Sequence, residues 1–209
     1  MDMPGHRATG RRASPILGLP VLLIPATAEA HTAIQGIGSF WSGVAHLLTS
    51  FDQVAFLVGL AIWTSFYDAR YDARVIGATF AAYFAGVFLG ANIGARLDLS
   101  GSVAALMMLV GLAGAVRLRI SATPLLCLAV AGGLIGGVVA ADATPGLSVG
   151  LFSLGGSIAS ASVLSYGLLA TRPVKVEWGR IALRAGASWI AAIGLMVLAA
   201  SFIPHTGRV

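Results

Sequence analysis

Charge is scarce in this chain. Asp, Glu, Lys and Arg make up 10% of its 209 residues, hydrophobic residues 57%, and the mean hydropathy is +0.90. Soluble domains carry roughly 25% charged residues, so no single water-soluble core could hide this much apolar surface. Cysteine is nearly absent too. Cys127 stands alone, which excludes an intramolecular disulfide, and its place inside an apolar run predicts a buried, inert thiol. The chain has no P-loop, GxGxxG, CxxC, HExxH or GxSxG motif. Lacking a nucleophile–base pair and a multi-histidine constellation, it reads as a non-enzyme. Acidic residues are the rarer sign, 8 against 13 basic, for a net charge of +5 and a pI near 10.1. In a soluble protein that balance would point to nucleic acid. Here the arginines fall in short loops between apolar runs, where the bias of cytoplasmic loops toward positive charge accounts for them. The partner expected is a lipid bilayer, and no nucleic acid.

What is present begins with a targeting pattern. His6, Arg7, Arg11 and Arg12 form a basic segment, residues 15–25 an apolar stretch too short to span comfortably, and Ala28-Glu29-Ala30 a small-residue cleavage pattern. Residues 1–30 are therefore predicted to be a cleavable signal peptide and 31–209 the membrane domain, with His31 as first mature residue. Arg11-Arg12 fits a plain basic segment better than a twin-arginine signal, because Ala13-Ser14-Pro15 lacks the apolar residues that should follow. Six apolar runs come next, at 40–63, 75–95, 99–116, 123–141, 147–170 and 181–203. Each is close to the roughly 20 residues of a spanning helix, and too long for barrel strands of about 9–11 residues. The predicted fold class is all-α, a polytopic membrane helix bundle with six transmembrane helices after the signal peptide. With His31 exoplasmic, loops predicted to be cytoplasmic hold Arg70, Arg74, Arg117, Arg119, Arg172, Lys175, Arg180 and Arg184, while exoplasmic segments hold Arg96 and Arg208. That asymmetry is the one the positive-inside rule requires. The run Arg70-Tyr71-Asp72-Ala73-Arg74, preceded by Asp68, reads as a solvated loop.

Glycine is spaced for helix packing. Gly86, Gly90 and Gly94 share one face of the second span, and Gly132, Gly133, Gly136 and Gly137, with Gly150, Gly155 and Gly156, offer the same to the fourth and fifth. Small faces let membrane helices approach closely.

The first span carries most of the polar groups. A carboxylate such as Asp52 near a bilayer centre costs about 2.5–3.5 kcal/mol and normally marks a pathway or a site. On a continuous helix His46, Thr49, Ser50 and Gln53 fall at i, i+3, i+4 and i+7, one face, with Ser42 and Ser39 extending the stripe. Asp52 would then point about 120° away from His46. Thr49-Ser50-Phe51-Asp52 also reads as a capping box that would start a new helix here. Such a break would free Asp52 to meet His46 around a small cavity, as discontinuous transporter helices do. The plainer alternative is that the stripe only hydrogen-bonds neighbouring helices. Asn92, between Gly90 and Gly94, could donate into the same interior or make a local contact near the membrane surface.

With a signal peptide, a mature start at His31-Thr32, six apolar runs, and His46-Leu47-Leu48-Thr49-Ser50-Phe51-Asp52-Gln53 leading through Val54 to Trp63, the chain resembles the HupE/UreJ family of hydrogenase and urease accessory membrane proteins. The family's hallmark is His-Pro-x-x-Gly-x-Asp-His followed by an apolar run ending near Gly-x-Trp. The resemblance implies a bacterial inner-membrane, multi-pass protein that permeates or delivers nickel, or alternatively cobalt, with no tightly bound cofactor. It places His46 and Asp52 at two ligand positions. It also implies metalloenzyme maturation proteins or a larger membrane complex as partners. The departures are Gln53 in place of the second histidine, Leu47 of the proline and Ser50 of the glycine. Asp98 is at best a shifted substitute for an acidic residue near the third helix, and Ala140-Ala141-Asp142-Ala143-Thr144 lacks a His-rich turn. Nickel favours imidazole, and His46 is the one histidine inside a span. Asp142, Asn92 and His31 would have to complete a weaker site. The expected metal residues are thus His46, Asp52 and His31, with Gln53, Thr49, Ser50 and Asn92 as supporting polar groups. A nickel permease or delivery protein, a non-transporting scaffold subunit of a larger complex, and a proton or small-solute path through Asp52 remain as alternative readings.

Overall fold

The computed structural model describes residues 37–93 and 99–202, and every regular element among them is helical. In chain order these are α1 (Ser39–Thr49), α2 (Phe51–Thr64), α3 (Asp72–Ile93), α4 (Ser100–Ala115), α5 (Ala122–Ala140), α6 (Val149–Thr171) and α7 (Glu177–Ser201). Single 3-10 turns at Ala69–Tyr71 and Ala141–Ala143 lead into α3 and follow α5. Four helices, α3, α5, α6 and α7, are long and apolar enough to cross a membrane, and α1 with α2 makes a fifth if counted as one span bent by 72°. The run expected at 99–116 forms a helix of 16 residues, short of the roughly 20 that a straight crossing needs. Among the described residues, length and composition thus support four to five of the six spans expected. The signal peptide expected over 1–30, and His31, lie outside the described residues.

The break in the first span has a local cause. Thr and Ser hydroxyls compete for helix carbonyls. Thr49 Oγ1 donates to Ala45 O at 2.9 Å and His46 O at 3.2 Å, and Ser50 Oγ donates to His46 O at 2.7 Å. Ser50 then turns extended (φ −79°, ψ 90°) and α2 begins at the next residue. The expected capping box does not form as such. Ser50, not Thr49, holds the N-cap position without a side-chain cap, and Asp52 instead accepts the Gln53 N–H at 2.9 Å within the first turn of α2.

Glycines set the helix pairs. A Cβ on Gly43 or Gly155 would collide with Phe152 O or Phe40 O, so α1 lies backbone to backbone on α6. Gly86 and Gly137 do the same between α3 and α5, and Gly90 would meet the Ala141 Cβ at 2.6 Å. Gly111 and Gly194 bring α4 and α7 together, with 2.5 Å to Ala191 N and 2.7 Å to Met108 N for an added Cβ. The expected packing role of these glycines holds: those of α5 face α3 and α2, and Gly155 and Gly156 of α6 face α1 and α3. Gly94 lies outside the described residues. Enclosed by α4, α5, α6 and α7, α2 buries Phe56, Leu57, Leu60, Ala61 and Trp63, whereas α7 leaves Ile181, Trp189 and Met196 exposed.

One sequence expectation is overturned and a second holds in part. Cys127 is exposed. Leu125 and Ala129, four apart, take the inward face of α5, and a residue two positions from each lies about 200° round the helix. The expected solvated loop is exposed at Asp68, Arg70 and Arg74 as read, but it is helical and its Asp72 is tied down. Asp68 caps the 3-10 turn by accepting the Arg70 N–H at 2.9 Å, and Asp72, in the first turn of α3, pairs through both oxygens with Arg172. Arg172 further donates to Tyr67 O at 2.6 Å and to Ser65 O and Thr64 O at 3.4 Å. One guanidinium therefore ties the end of α6 to the end of α2 and the start of α3. Nearby, Trp63 Nε1 and Tyr67 Oη donate to Leu118 O, and Arg184 Nε to Ala115 O. These bonds gather the basic loops at one end of the bundle.

A buried polar seam at the break of the first span

The seam is built where α1 stops and α2 starts. His46 is buried near the end of α1, its ring 5.8 Å from that of Phe152 on α6, and Ser42 is buried one turn earlier. Past the break, Gln53 is buried against α5 and donates through Nε2 to Gly136 O at 3.3 Å. The absence of a side chain at Gly136 makes room, since a Cβ there would stand 3.5 Å from Gln53 Oε1. Gly132 likewise makes room for Phe56, and Gly156 on α6 for Tyr83 of α3.

Three buried oxygens in this region, Gln53 Oε1, Tyr83 Oη and Ser157 Oγ, have no hydrogen-bond partner among the described residues. A buried oxygen without a partner costs about 1–3 kcal/mol, so native proteins seldom keep several together without a use for them. A cavity of about 20 Å³ opens between Gln53, Tyr83, Phe56, Thr79 and Ser160, enough for one water molecule. Asp52 is half-buried in the first turn of α2, one residue before Gln53 of this lining. Asp52 stands at the amino end of α2, where exposed backbone N–H groups favour an anion, while the carbonyl end of α1 faces the same break. The seam can therefore present both donors and acceptors to a small hydrated solute.

The structure distributes the expected site residues unevenly. His46, Asp52 and Gln53 flank the break. Thr49 is exposed and Ser50 half-buried, and both hydroxyls are taken up by α1 carbonyls. The single-face stripe of a continuous helix is therefore divided between two helices. Asn92 is exposed and donates to Phe88 O of its own helix at 2.7 Å. Asp142 is exposed in the turn after α5. Among the described residues, no three His, Cys, Asp or Glu side chains come together as a metal-holding group. Tyr83 and Ser157 were not expected. Ser153, Ser157 and Ser160 are all buried on α6 at i, i+4 and i+7, a polar face that the same periodicity could have exposed.

A helical membrane protein with a broken first span and a polar seam at the break is the class that this architecture defines. The family model described as HupE / UreJ protein matches residues 19–197, and the chain belongs to that family. The family is of accessory and transport type rather than catalytic. No curated protein and no solved structure matches the chain significantly.

Proposed function

We propose that this protein is a permease or delivery protein for a divalent metal, nickel first, in the bacterial inner membrane, and that the seam at Ser50 is the point of transit. The observation that carries this reading is the break itself. It stations the half-buried Asp52 carboxylate at a helix amino end next to Gln53, one of three buried oxygens without a hydrogen-bond partner among the described residues. Discontinuous helices of this kind form the substrate sites of many transporters. The ion is cargo here, held loosely. Imidazole is the ligand that nickel favours and oxygen donors hold it less well. With Gln53 where the family pattern has a histidine, the donors are His46, Asp52 and amide or hydroxyl oxygens, a set suited to passing an ion with part of its water shell.

Uptake of radioactive nickel into cells expressing wild type, His46→Ala, Asp52→Asn and Gln53→His tests the reading. His46→Ala and Asp52→Asn should reduce uptake to background while membrane levels stay unchanged. Gln53→His should strengthen binding about tenfold or more, the order of a good ligand's contribution. Equal background uptake by all four would remove the transport role and leave the second reading, a non-transporting subunit of a larger membrane complex. That reading draws on the exposed face of α7, where Trp178, Ile181, Trp189, Leu195 and Met196 are uncovered.

A further inference from the structure

The basic end of the bundle holds charge that the ion pair Arg172–Asp72 does not use. Two adjoining clefts, of about 160 and 320 Å³, open between the end of α4 and the start of α7, and Arg117 and Arg180 line both. Arg119 joins them in the first, Lys175 and Arg184 in the second, where Glu177 is the one carboxylate of the lining. None of these five cations forms an ion pair among the described residues. The carboxylate of Glu177 stands in the first turn of α7, where its charge complements the helix N-terminus.

Arg117 occupies a backbone position that suits glycine. Its φ is 53°, the one positive value at a non-glycine among the described residues. The bonds around it are those of a Schellman motif, with Arg117 N–H to Gly114 O at 3.1 Å and Leu118 N–H to Ala113 O at 2.8 Å. Glycine fills that position most readily, so an arginine there gives up backbone ease for the sake of a side chain. The Arg117 guanidinium stands 5.4 Å over the ring of Phe66, and both residues line the first cleft. The surroundings are those of a membrane surface. Trp178 is 75% exposed at the start of α7, Val116 and Ile181 flank the clefts exposed, and tryptophans gather at headgroup depth in bilayers.

We propose that these clefts bind phosphate groups, supplied by the headgroup of an anionic phospholipid, and that the sharing of Arg117 and Arg180 between two clefts favours a headgroup with two phosphates. Guanidinium groups bind phosphate through paired hydrogen bonds, and basic pockets between membrane helices are suited to such headgroups. The exposed apolar residues beside the clefts would carry the acyl chains.

The test uses the full chain purified in a neutral detergent, with lipid binding read by native mass spectrometry and by the thermal shift that lipid produces. Diphosphatidylglycerol should bind and raise the melting temperature, phosphatidylglycerol less so, and phosphatidylcholine not at all, with the effect fading as salt increases. Arg117→Gly is the informative variant. It relieves the backbone at φ 53°, so the lipid-free protein should melt at or above the wild-type temperature, yet diphosphatidylglycerol binding should weaken about tenfold. Arg180→Gln should weaken it similarly. If millimolar inorganic phosphate alone gives the shift and displaces the lipid, the phosphate site stands and its source is soluble, which overturns the lipid assignment. Unchanged lipid binding in both variants, or equal binding of phosphatidylcholine, would overturn the proposal altogether.

Discussion

The two ends of α2 treat polarity in opposite ways. At its carboxyl end, Arg172 reaches Asp72 and the carbonyls of Thr64, Ser65 and Tyr67, so charge and hydrogen bonds are closed within the protein. At its amino end, the oxygens of Gln53, Tyr83 and Ser157 are buried with no partner among the described residues. A network that satisfies itself contributes to stability and specifies how helices meet. A set of groups left open costs stability and persists where something outside the fold uses it. The same helix thus carries a fastening at one end and a seam at the other.

Substitutions can break this contrast, and the largest effect belongs to the fastening. Arg172→Gln should destabilise the protein by about 2–3 kcal/mol, below the full cost of a deeply buried pair because both side chains keep some solvent contact. Thermal unfolding in detergent reads it, and an unchanged melting temperature would show the end to be incidental. Asp72→Asn should cost less, about 1–2 kcal/mol, because the guanidinium keeps its carbonyl partners. At the seam the effect should be small. Gln53→Leu removes the unpartnered Oε1 together with the bond from Nε2 to Gly136 O, and the two losses oppose each other, so stability should change by no more than about 1 kcal/mol in either direction. If transport runs through the seam, the same variant should abolish nickel uptake, so stability and uptake would part company. A loss of stability as large as that of Arg172→Gln would instead make the seam structural. Last is Tyr83→Phe, which removes one unpartnered hydroxyl and should leave stability unchanged or raise it by about 1 kcal/mol, read by thermal unfolding in detergent.

Hydropathy made the helices legible, because each is an apolar run and little else in the chain competes. The bend at Ser50 was legible as one of two alternatives, through the polar pair Thr49-Ser50 and Asp52, although the hydroxyls turn back onto α1 instead of capping α2. What stayed hidden depends on residues far apart in the chain. Asp72 and Arg172 stand 100 positions apart, and neither looks different from a solvated loop residue by itself. Tyr83 is a lone hydroxyl among alanines and phenylalanines, and only the space left by Gly156 shows that it faces inward. The sixth span is not reached by length among the described residues for a related reason. Hydropathy reports that a run is apolar, not where its helix ends, and α4 comes out at 16 residues.

The close seat of α1 on α6 has a consequence for synthesis. Residues 39–49 leave the ribosome long before residues 149–171, yet Gly43 and Gly155 interlock the two helices and Ser148 N–H donates to Ser39 Oγ across 109 positions. Contacts between α1 and its own continuation α2 are sparse by comparison. While the chain is incomplete, the Thr49 and Ser50 hydroxyls mark the turn but the α6 seat that holds α1 at its final angle is missing. The opening segment must therefore wait, inserted but unfinished, until α6 emerges. A ribosome stalled just after Ala140 should leave residues 39–64 open to cysteine-directed labelling that the finished protein resists.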